Sequence, residues 1–126
     1  MAIRFCELTA PPLAGFTAEA PSGAVIGITG ENGAGTSRLL RVAAGMEAPA
    51  SGSVEAPRSR RLLAAGDALD LAGADLLLLD HALALRDLPS RERAAIAIDR
   101  ARRAGATVLL VSHEEELLRR LADEVW

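Results

Sequence analysis

Apolar and polar positions divide the chain into short apolar runs and longer amphipathic segments. Five runs have the length and composition of β-strands, namely 3–8, 24–29, 61–65, 74–79 and 107–112. The runs 76–79 and 108–111 inside them are apolar on both faces, which is typical of strands buried between two layers of helices. The alternation of strand and helix character therefore predicts an α/β fold with a mostly parallel sheet flanked by helices.

The helical segments have recognisable ends. Segments 36–44 and 89–104 are followed by Gly45 and Gly105, and glycine is favoured just past a helix end because it adopts left-handed backbone conformations without strain. The pattern therefore predicts one helix after the second strand and another before the last strand.

A third helix and one surface connection complete the expected organisation. Ser112 and Glu115 have the spacing of a capping box, which predicts a helix that opens at Ser112. Segment 48–60 is rich in Pro, Ser, Gly and Ala and is interpreted as a surface connection that includes a short hairpin strand around Val54.

Length and composition narrow the class of protein. The 126 residues suffice for one domain, 1–126, and the net charge of −3 argues against a nucleic-acid partner. No apolar run approaches the ~18 residues needed to cross a bilayer, so no direct membrane insertion is expected. The single Cys6 favours a reducing, cytoplasmic setting. All 14 basic residues are arginine, and the sequence contains neither Lys nor Gln.

The most informative stretch is the glycine-rich segment that follows the second strand. Gly30, Gly33 and Gly35 lie between a strand and a helix. Such glycines let main-chain N–H groups surround an anion, and the start of the following helix adds a favourable dipole. The segment therefore predicts a phosphate-binding loop.

Residues 30–35, Gly-Glu-Asn-Gly-Ala-Gly, resemble the Walker A loop of ABC-transporter ATPases, and the likeness continues through 39–41, 44–45 and 51–52. The resemblance implies a P-loop NTPase-like fold, ATP or ADP with Mg²⁺ as cofactor, and a membrane-associated partner, either a permease or a complete ATPase subunit. The implied nucleotide-binding residues are Gly30, Asn32, Gly33, Ala34, Gly35, Thr36, Ser37 and Arg38.

The loop departs from the family pattern at its charged position. The family's lysine falls at Thr36, its serine at Ser37 and the next threonine at Arg38. Loss of a charge-assisted contact of about 1.5–3 kcal/mol weakens phosphate binding roughly ten- to a hundredfold. Arg38 points to another face of the helix than Thr36. Two interpretations stay open, a weakened phosphate site and an inherited strand-to-helix turn without a ligand.

Residues 75–81 resemble the family's Walker B strand. The resemblance implies that Asp80 holds Mg²⁺ together with the Ser37 hydroxyl; the alternative is an aspartate that only caps the strand end. His81 stands where the family has its catalytic glutamate, either as a replacement base or as a residue at the solvent edge. Loss of a general base typically costs 10²–10⁴-fold in rate.

Residues 108–113 resemble the family's switch strand. The resemblance implies that His113 senses the γ-phosphate, whereas a capping histidine is the alternative. Asp87 resembles the D-loop aspartate.

Several family features are absent from the sequence. Only 43 positions separate Ser37 from Asp80, where the family carries a glutamine loop, a helical subdomain and its signature motif. An aromatic residue for adenine stacking is missing near Ala10 and Pro11. These departures favour a weak, non-hydrolysing nucleotide-binding module with an accessory or regulatory role. The alternatives are a scaffold protein without nucleotide and a slow ATPase that uses His81 or His113 and is completed by a partner. The oligomeric state stays open.

Overall fold

The structure is a computed structural model that describes residues 3–10, 13–29, 35–64, 73–82 and 88–126. Within these ranges the chain forms eight strands and three helices. In chain order they are β1 (Ile3–Ala10), β2 (Leu13–Ala20), β3 (Val25–Ile28), α1 (Thr36–Ala43), β4 (Ser51–Glu55), β5 (Arg60–Ala64), β6 (Leu76–Asp80), α2 (Leu88–Arg103), β7 (Thr107–Val111), α3 (Glu115–Leu121) and β8 (Glu124–Val125).

The larger sheet is parallel and has the order β5-β6-β7-β3-β8. All of β7 and the first four residues of β6 are buried, because α1 and a smaller sheet cover one face and α2 and α3 cover the other. Val111 is paired with Asp80 on one side and with Ile28 on the other, so three strands end at the same level. The predicted parallel α/β fold is confirmed, and both ends of all five predicted strands lie within two residues of their predicted positions.

Two apolar clusters lie on opposite faces of this sheet. One joins α1 to the smaller sheet and includes the aromatic rings of Phe5, Phe16 and Trp126, which meet edge to face with centroids 5.3–6.1 Å apart. The other cluster joins α2 and α3 to the sheet through residues such as Ile98 and Leu118. The mostly aliphatic core is thus divided into two layers, one on each face of the parallel sheet.

A second sheet is antiparallel, with the order β2-β1-β4. Strand β2 was not predicted, because its small and polar residues lack a clear alternation. Val54 does lie in a strand, as predicted, but β4 pairs with β1 rather than forming a local hairpin. Strand β1 is irregular at Glu7, whose φ is 47°, and a Cβ on Gly52 would lie only 2.2 Å from the Glu7 carbonyl oxygen.

The helix ends agree with the glycine signals. Gly45 and Gly105 have φ of 79° and 99°. After α2, the Ala106 N–H donates to the Ala101 carbonyl and the Gly105 N–H donates to the Arg102 carbonyl, which is a Schellman motif. Here the local sequence is sufficient to end the helix.

The predicted capping box at Ser112 is wrong. Helix α3 begins at Glu115, its N-cap is Glu114, and no side chain caps it. The Ser112 hydroxyl instead accepts a hydrogen bond from the Glu114 N–H at 3.0 Å. The reason is that Ser112, only 8% exposed, still follows the sheet and donates its own N–H to the Ile28 carbonyl.

Candidate functional site

The candidate site lies at the carboxyl edge of the parallel sheet, where β3, β6 and β7 end together. This is the edge at which ligands bind in open α/β sheets. Thr29, His81 and Ser112 are the first residues beyond the three strands. Several residues named from the sequence lie outside the described residues, namely Gly30, Asn32, Gly33, Ala34 and Asp87.

The start of α1 is shaped for an anion. Gly35 is the N-cap with φ 89°, a conformation that favours glycine, and its carbonyl accepts the first helical bond from the Leu39 N–H at 2.9 Å. No side chain caps this helix, and its first turn contains no acidic residue. Half-buried Thr36 and Ser37 follow directly. The dipole and first-turn N–H groups of α1 therefore suit a bound phosphate.

Arg38 takes part in an ion cluster that sequence reasoning missed. Its Nε lies 3.5 Å from Glu47 Oε2, and Arg41 Nε lies 3.4 Å from the same oxygen. Glu47 follows the C-terminal end of α1, so this contact directs the Arg38 side chain along the helix. The residues around Arg38 do not indicate that the side chain of Glu47 lies close to it.

Asp80 carries a carboxylate oxygen without a hydrogen-bond partner. Asp80 Oδ1 is buried and accepts no hydrogen bond from the described residues, and the nearest basic atom, His81 Nε2, lies 3.8 Å away. An unsatisfied buried oxygen costs free energy, so it points to a ligand or to strain. Carboxylate oxygen is a donor that Mg²⁺ prefers.

A single carboxylate suits Mg²⁺ better than it suits a permanently bound structural metal. Among the described residues no group of three or more His, Cys, Asp or Glu could hold a metal ion. Mg²⁺ in nucleotide sites is usually held by one or two carboxylates together with substrate phosphates and water. The carboxylate of Asp80 therefore suits a Mg²⁺ ion whose other ligands are water or phosphate oxygens.

His81 and His113 meet at this edge although 32 positions separate them. Their rings stack with centroids 4.5 Å apart and planes 29° apart. His81 has φ 53°, an uncommon conformation for a residue with a side chain, and its N–H donates to the Val111 carbonyl at 3.0 Å. Its side chain is 26% exposed. Backbone strain of this kind is concentrated at functional sites.

A bidentate ion pair holds the loop that carries His113. The Arg91 guanidinium on α2 donates to both carboxylate oxygens of Glu114, at 2.5 and 2.6 Å. These hydrogen bonds raise the pKa of Arg91. Sequence reasoning missed this pair, because Arg91 on α2 and Glu114 before α3 are 23 positions apart and form no local motif.

Strand β3 leads into the glycine-rich loop. On the side away from β7, it is hydrogen-bonded to the last residues of the chain. The Thr29 N–H donates to the Trp126 carbonyl at 3.2 Å, and the Trp126 N–H donates to the Gly27 carbonyl at 2.7 Å. A Cβ on Gly27 would lie 3.2 Å from side-chain atoms of Leu118 and Ala122, so the missing side chain allows α3 to pack closely. The entry to the loop is thus fixed by β3, α3 and β8 together.

No helix in the described ranges is both long and apolar enough to cross a membrane.

Comparison with known proteins identifies what the chain resembles. The family model described as "ABC transporter" matches residues 13–121. A protein from Pyrococcus furiosus assigned as an ABC transporter ATP-binding protein superimposes with a TM-score of 0.80 at 16% identity, over 100% of this chain and 96% of the other. A protein assigned as a metal-chelate type ABC transporter, in an inward-facing conformation, gives a TM-score of 0.81 at 15% identity, over 98% of this chain and 78% of the other. At these identities the structural likeness shows the fold. Comparison with curated proteins found no match.

Proposed function

The chain belongs to the ABC transporter family, and from this premise we propose that it is a nucleotide-binding module that holds Mg-ATP or Mg-ADP weakly and hydrolyses it little or not at all. Its role is that of an accessory or regulatory subunit beside a permease or a complete ATPase subunit, on the cytoplasmic side of a membrane. All 126 residues form one nucleotide-binding domain.

The unpartnered Asp80 carboxylate oxygen is the observation that carries this proposal. A buried oxygen without a hydrogen bond is a cost that a purely structural aspartate has no reason to keep. A Mg²⁺ ion bound with nucleotide would satisfy it and would neutralise phosphate charge. The uncapped start of α1, where Gly35 has a left-handed backbone, supports a phosphate at the same edge of the sheet.

Weak binding follows from the residues at the phosphate loop. Thr36 carries no positive charge where the family has lysine. The first turn of α1 therefore offers N–H groups, hydroxyls and the dipole, and its one cation, Arg38, lies beside Glu47. Nucleotide binding then rests mainly on main-chain groups, and Ser37 and Asp80 together bind the Mg²⁺ ion. The nucleotide-binding residues are Gly30, Asn32, Gly33, Ala34, Gly35, Thr36, Ser37 and Arg38.

Little hydrolysis follows from the position after Asp80. His81 cannot supply the negative charge of the family's glutamate, and its ring lies against His113 instead of standing alone. The usual polarisation of an attacking water is therefore weakened.

The histidine pair supports one second candidate, slow hydrolysis completed by a partner. Two imidazoles at the carboxyl edge provide a proton acceptor and a phosphate contact in neighbouring positions. Phosphate release above the rate in buffer, lost in Asp80→Ala and reduced in both His81→Ala and His113→Ala, would favour this candidate over a non-hydrolysing module.

Calorimetric titration of the full chain with Mg-ATP and Mg-ADP tests the proposal, together with thermal melting. We expect dissociation constants well above those of complete family members. A ligand at about 100 times its Kd adds roughly 2.7 kcal/mol to the free energy of unfolding. The absence of both heat and a melting shift up to millimolar nucleotide would refute binding and leave a scaffold protein. The variant Asp80→Asn, in which binding should no longer depend on Mg²⁺, tests the role of the carboxylate. Asp75→Asn, directly before β6 at its opposite end, is the matched control.

A further inference from the structure

A second surface lies at the amino edge of the sheet, away from the candidate nucleotide site. There an open groove of about 740 Å³ runs between helix α2 and the turn that enters β6. Its floor is made by small apolar residues, with Ala97 and Ala101 on α2, Ala104 directly after it, and Ala74 and Ala106 before β6 and β7. We infer that this groove is a docking site for an amphipathic helix of a partner protein that carries acidic residues beside its apolar stripe.

The groove suits a helix in both shape and size. Ala97, Ala101 and Ala104 recur at helical spacing, and small side chains let a second helix approach closely, within the usual 8–10 Å between axes. A helix about 10 Å across and 5.4 Å per turn fills about 400 Å³ per turn, so the groove holds about two turns. Ile96 stands beside this floor with 55% of its surface exposed, the second largest exposure among the large apolar residues of the described ranges.

Both walls of the groove are fixed by main-chain hydrogen bonds. The Thr107 N–H donates to the Asp75 carbonyl and the Asp75 N–H donates to the Ser59 carbonyl, each at 2.9 Å. The Ser59 hydroxyl donates to the Gly73 carbonyl at 3.0 Å. On the other wall, the Schellman motif after α2 joins Ala106 to Ala101. A partner therefore meets a preformed surface, and little ordering is needed on this side.

Charge decides what kind of helix fits. Arg93 and Arg100 line the groove from α2, one on each side of Ile96 along the helix. Neither arginine forms an ion pair within the described residues. Asp75 is the one acidic residue in the lining. The α2 side of the groove therefore favours carboxylates on the edge of the partner helix, whereas a second copy of this chain docked two-fold through the same groove would set Arg93 and Arg100 against the same arginines of the other copy.

The groove and the candidate nucleotide site occupy opposite ends of the same strands. Asp75 precedes β6 and Asp80 ends it, and a strand of this length spans roughly 16 Å. Docking in the groove consequently leaves the carboxyl edge accessible. The inference does not depend on nucleotide binding, and its test can fail independently.

Binding of designed peptides to the full chain tests the inference. The probe is a labelled helical peptide of about 15 residues with leucines at positions i, i+3, i+4 and i+7 and glutamates beside them; a matched peptide carries lysines instead. Fluorescence anisotropy should show the glutamate peptide binding about two- to thirtyfold more tightly, the range that two exposed ion pairs provide.

Variants identify the surface that is used. The double variant Arg93→Glu, Arg100→Glu should reverse the preference between the two peptides, and Ile96→Ser should weaken both. Arg58→Glu, an exposed arginine outside the groove, should change neither. Melting temperatures show that each variant is folded. Equal affinity for the two peptides, no measurable binding, or insensitivity to these substitutions would overturn the inference. Self-association in ultracentrifugation that Ile96→Ser removes would assign the groove to a second copy and would overturn it as well.

Discussion

The imidazole of His81 stacks on that of His113, with centroids 4.5 Å apart, and this contact joins the ends of two neighbouring strands of the parallel sheet. His81 reaches the contact with a left-handed backbone, φ 53°. For residues other than glycine this conformation typically costs about 1–2 kcal/mol. The ring contact with His113 therefore occurs together with a strained backbone at His81.

The strain at His81 predicts an unusual order of stability among substitutions. His81→Gly and His81→Ala both remove the ring, but only glycine adopts φ 53° without cost. We expect the glycine variant to have a free energy of unfolding about 1 kcal/mol higher than the alanine variant, measured by denaturant unfolding. At ordinary backbone angles the order is reversed, so a more stable alanine variant would show that His81 is not strained.

The unpartnered oxygen of Asp80 predicts opposite effects on stability and on binding. Asp80→Asn removes a charge from a carboxyl group that is only 19% exposed and lacks a partner for Oδ1. Without metal and nucleotide, we expect the variant to be more stable by about 1 kcal/mol. In titrations with ATP, the variant should lose the dependence of binding on Mg²⁺.

Asp75→Asn provides the control, because Asp75 is exposed and precedes the same strand. It should leave both the free energy of unfolding and the Mg²⁺ dependence close to those of the parent chain. A destabilised Asp80→Asn chain would indicate that the carboxylate only holds the fold.

Restoring a positive charge at the start of α1 should strengthen nucleotide binding. Thr36→Lys returns the residue that the family has at this position, and a charge-assisted phosphate contact of about 1.5–3 kcal/mol corresponds to a roughly ten- to hundredfold lower Kd for Mg-ATP. Calorimetric titration measures the change.

Ser53→Lys adds the same charge on the exposed strand β4 and controls for general attraction of the anion. It should change the Kd by much less than Thr36→Lys. Equal effects of the two substitutions would mean that nucleotide is not held at the start of α1.

The close approach of Gly52 to β1 predicts that this glycine cannot be replaced. A Cβ there would lie 2.2 Å from the carbonyl oxygen of Glu7, and the φ of Gly52 is 81°. We expect Gly52→Ala to lower the free energy of unfolding by more than about 2 kcal/mol, because the clash adds to the backbone strain.

Gly15→Ala separates these two causes. Gly15 lies in the same antiparallel sheet with φ 64°, but an added Cβ has no atom within 4 Å. Its substitution should cost only the backbone strain, about 1 kcal/mol. Equal losses from the two substitutions would show that the sheet yields at Gly52.

Local pattern was sufficient for the elements that bury the most apolar surface. Neighbouring residues alone were enough to predict the buried apolar runs in β6 and β7. The same holds for the helix ends, which are marked by the glycines after α1 and α2. Strand β2 escaped prediction because its order depends on pairing with β1 rather than on its own residues. The capping box at Ser112 failed for a similar reason, since the sheet holds Ser112 before the helix can begin.

The sequence by itself determined the family and the parallel sheet, and it placed candidate functional residues at the carboxyl edge. Tertiary structure alone decided that His81 lies against His113, that Arg91 holds Glu114, and that the groove beside α2 is open. The physical reason is distance along the chain. Hydrophobic period and turn chemistry act over a few residues, whereas these contacts join residues that only the packed sheet brings together.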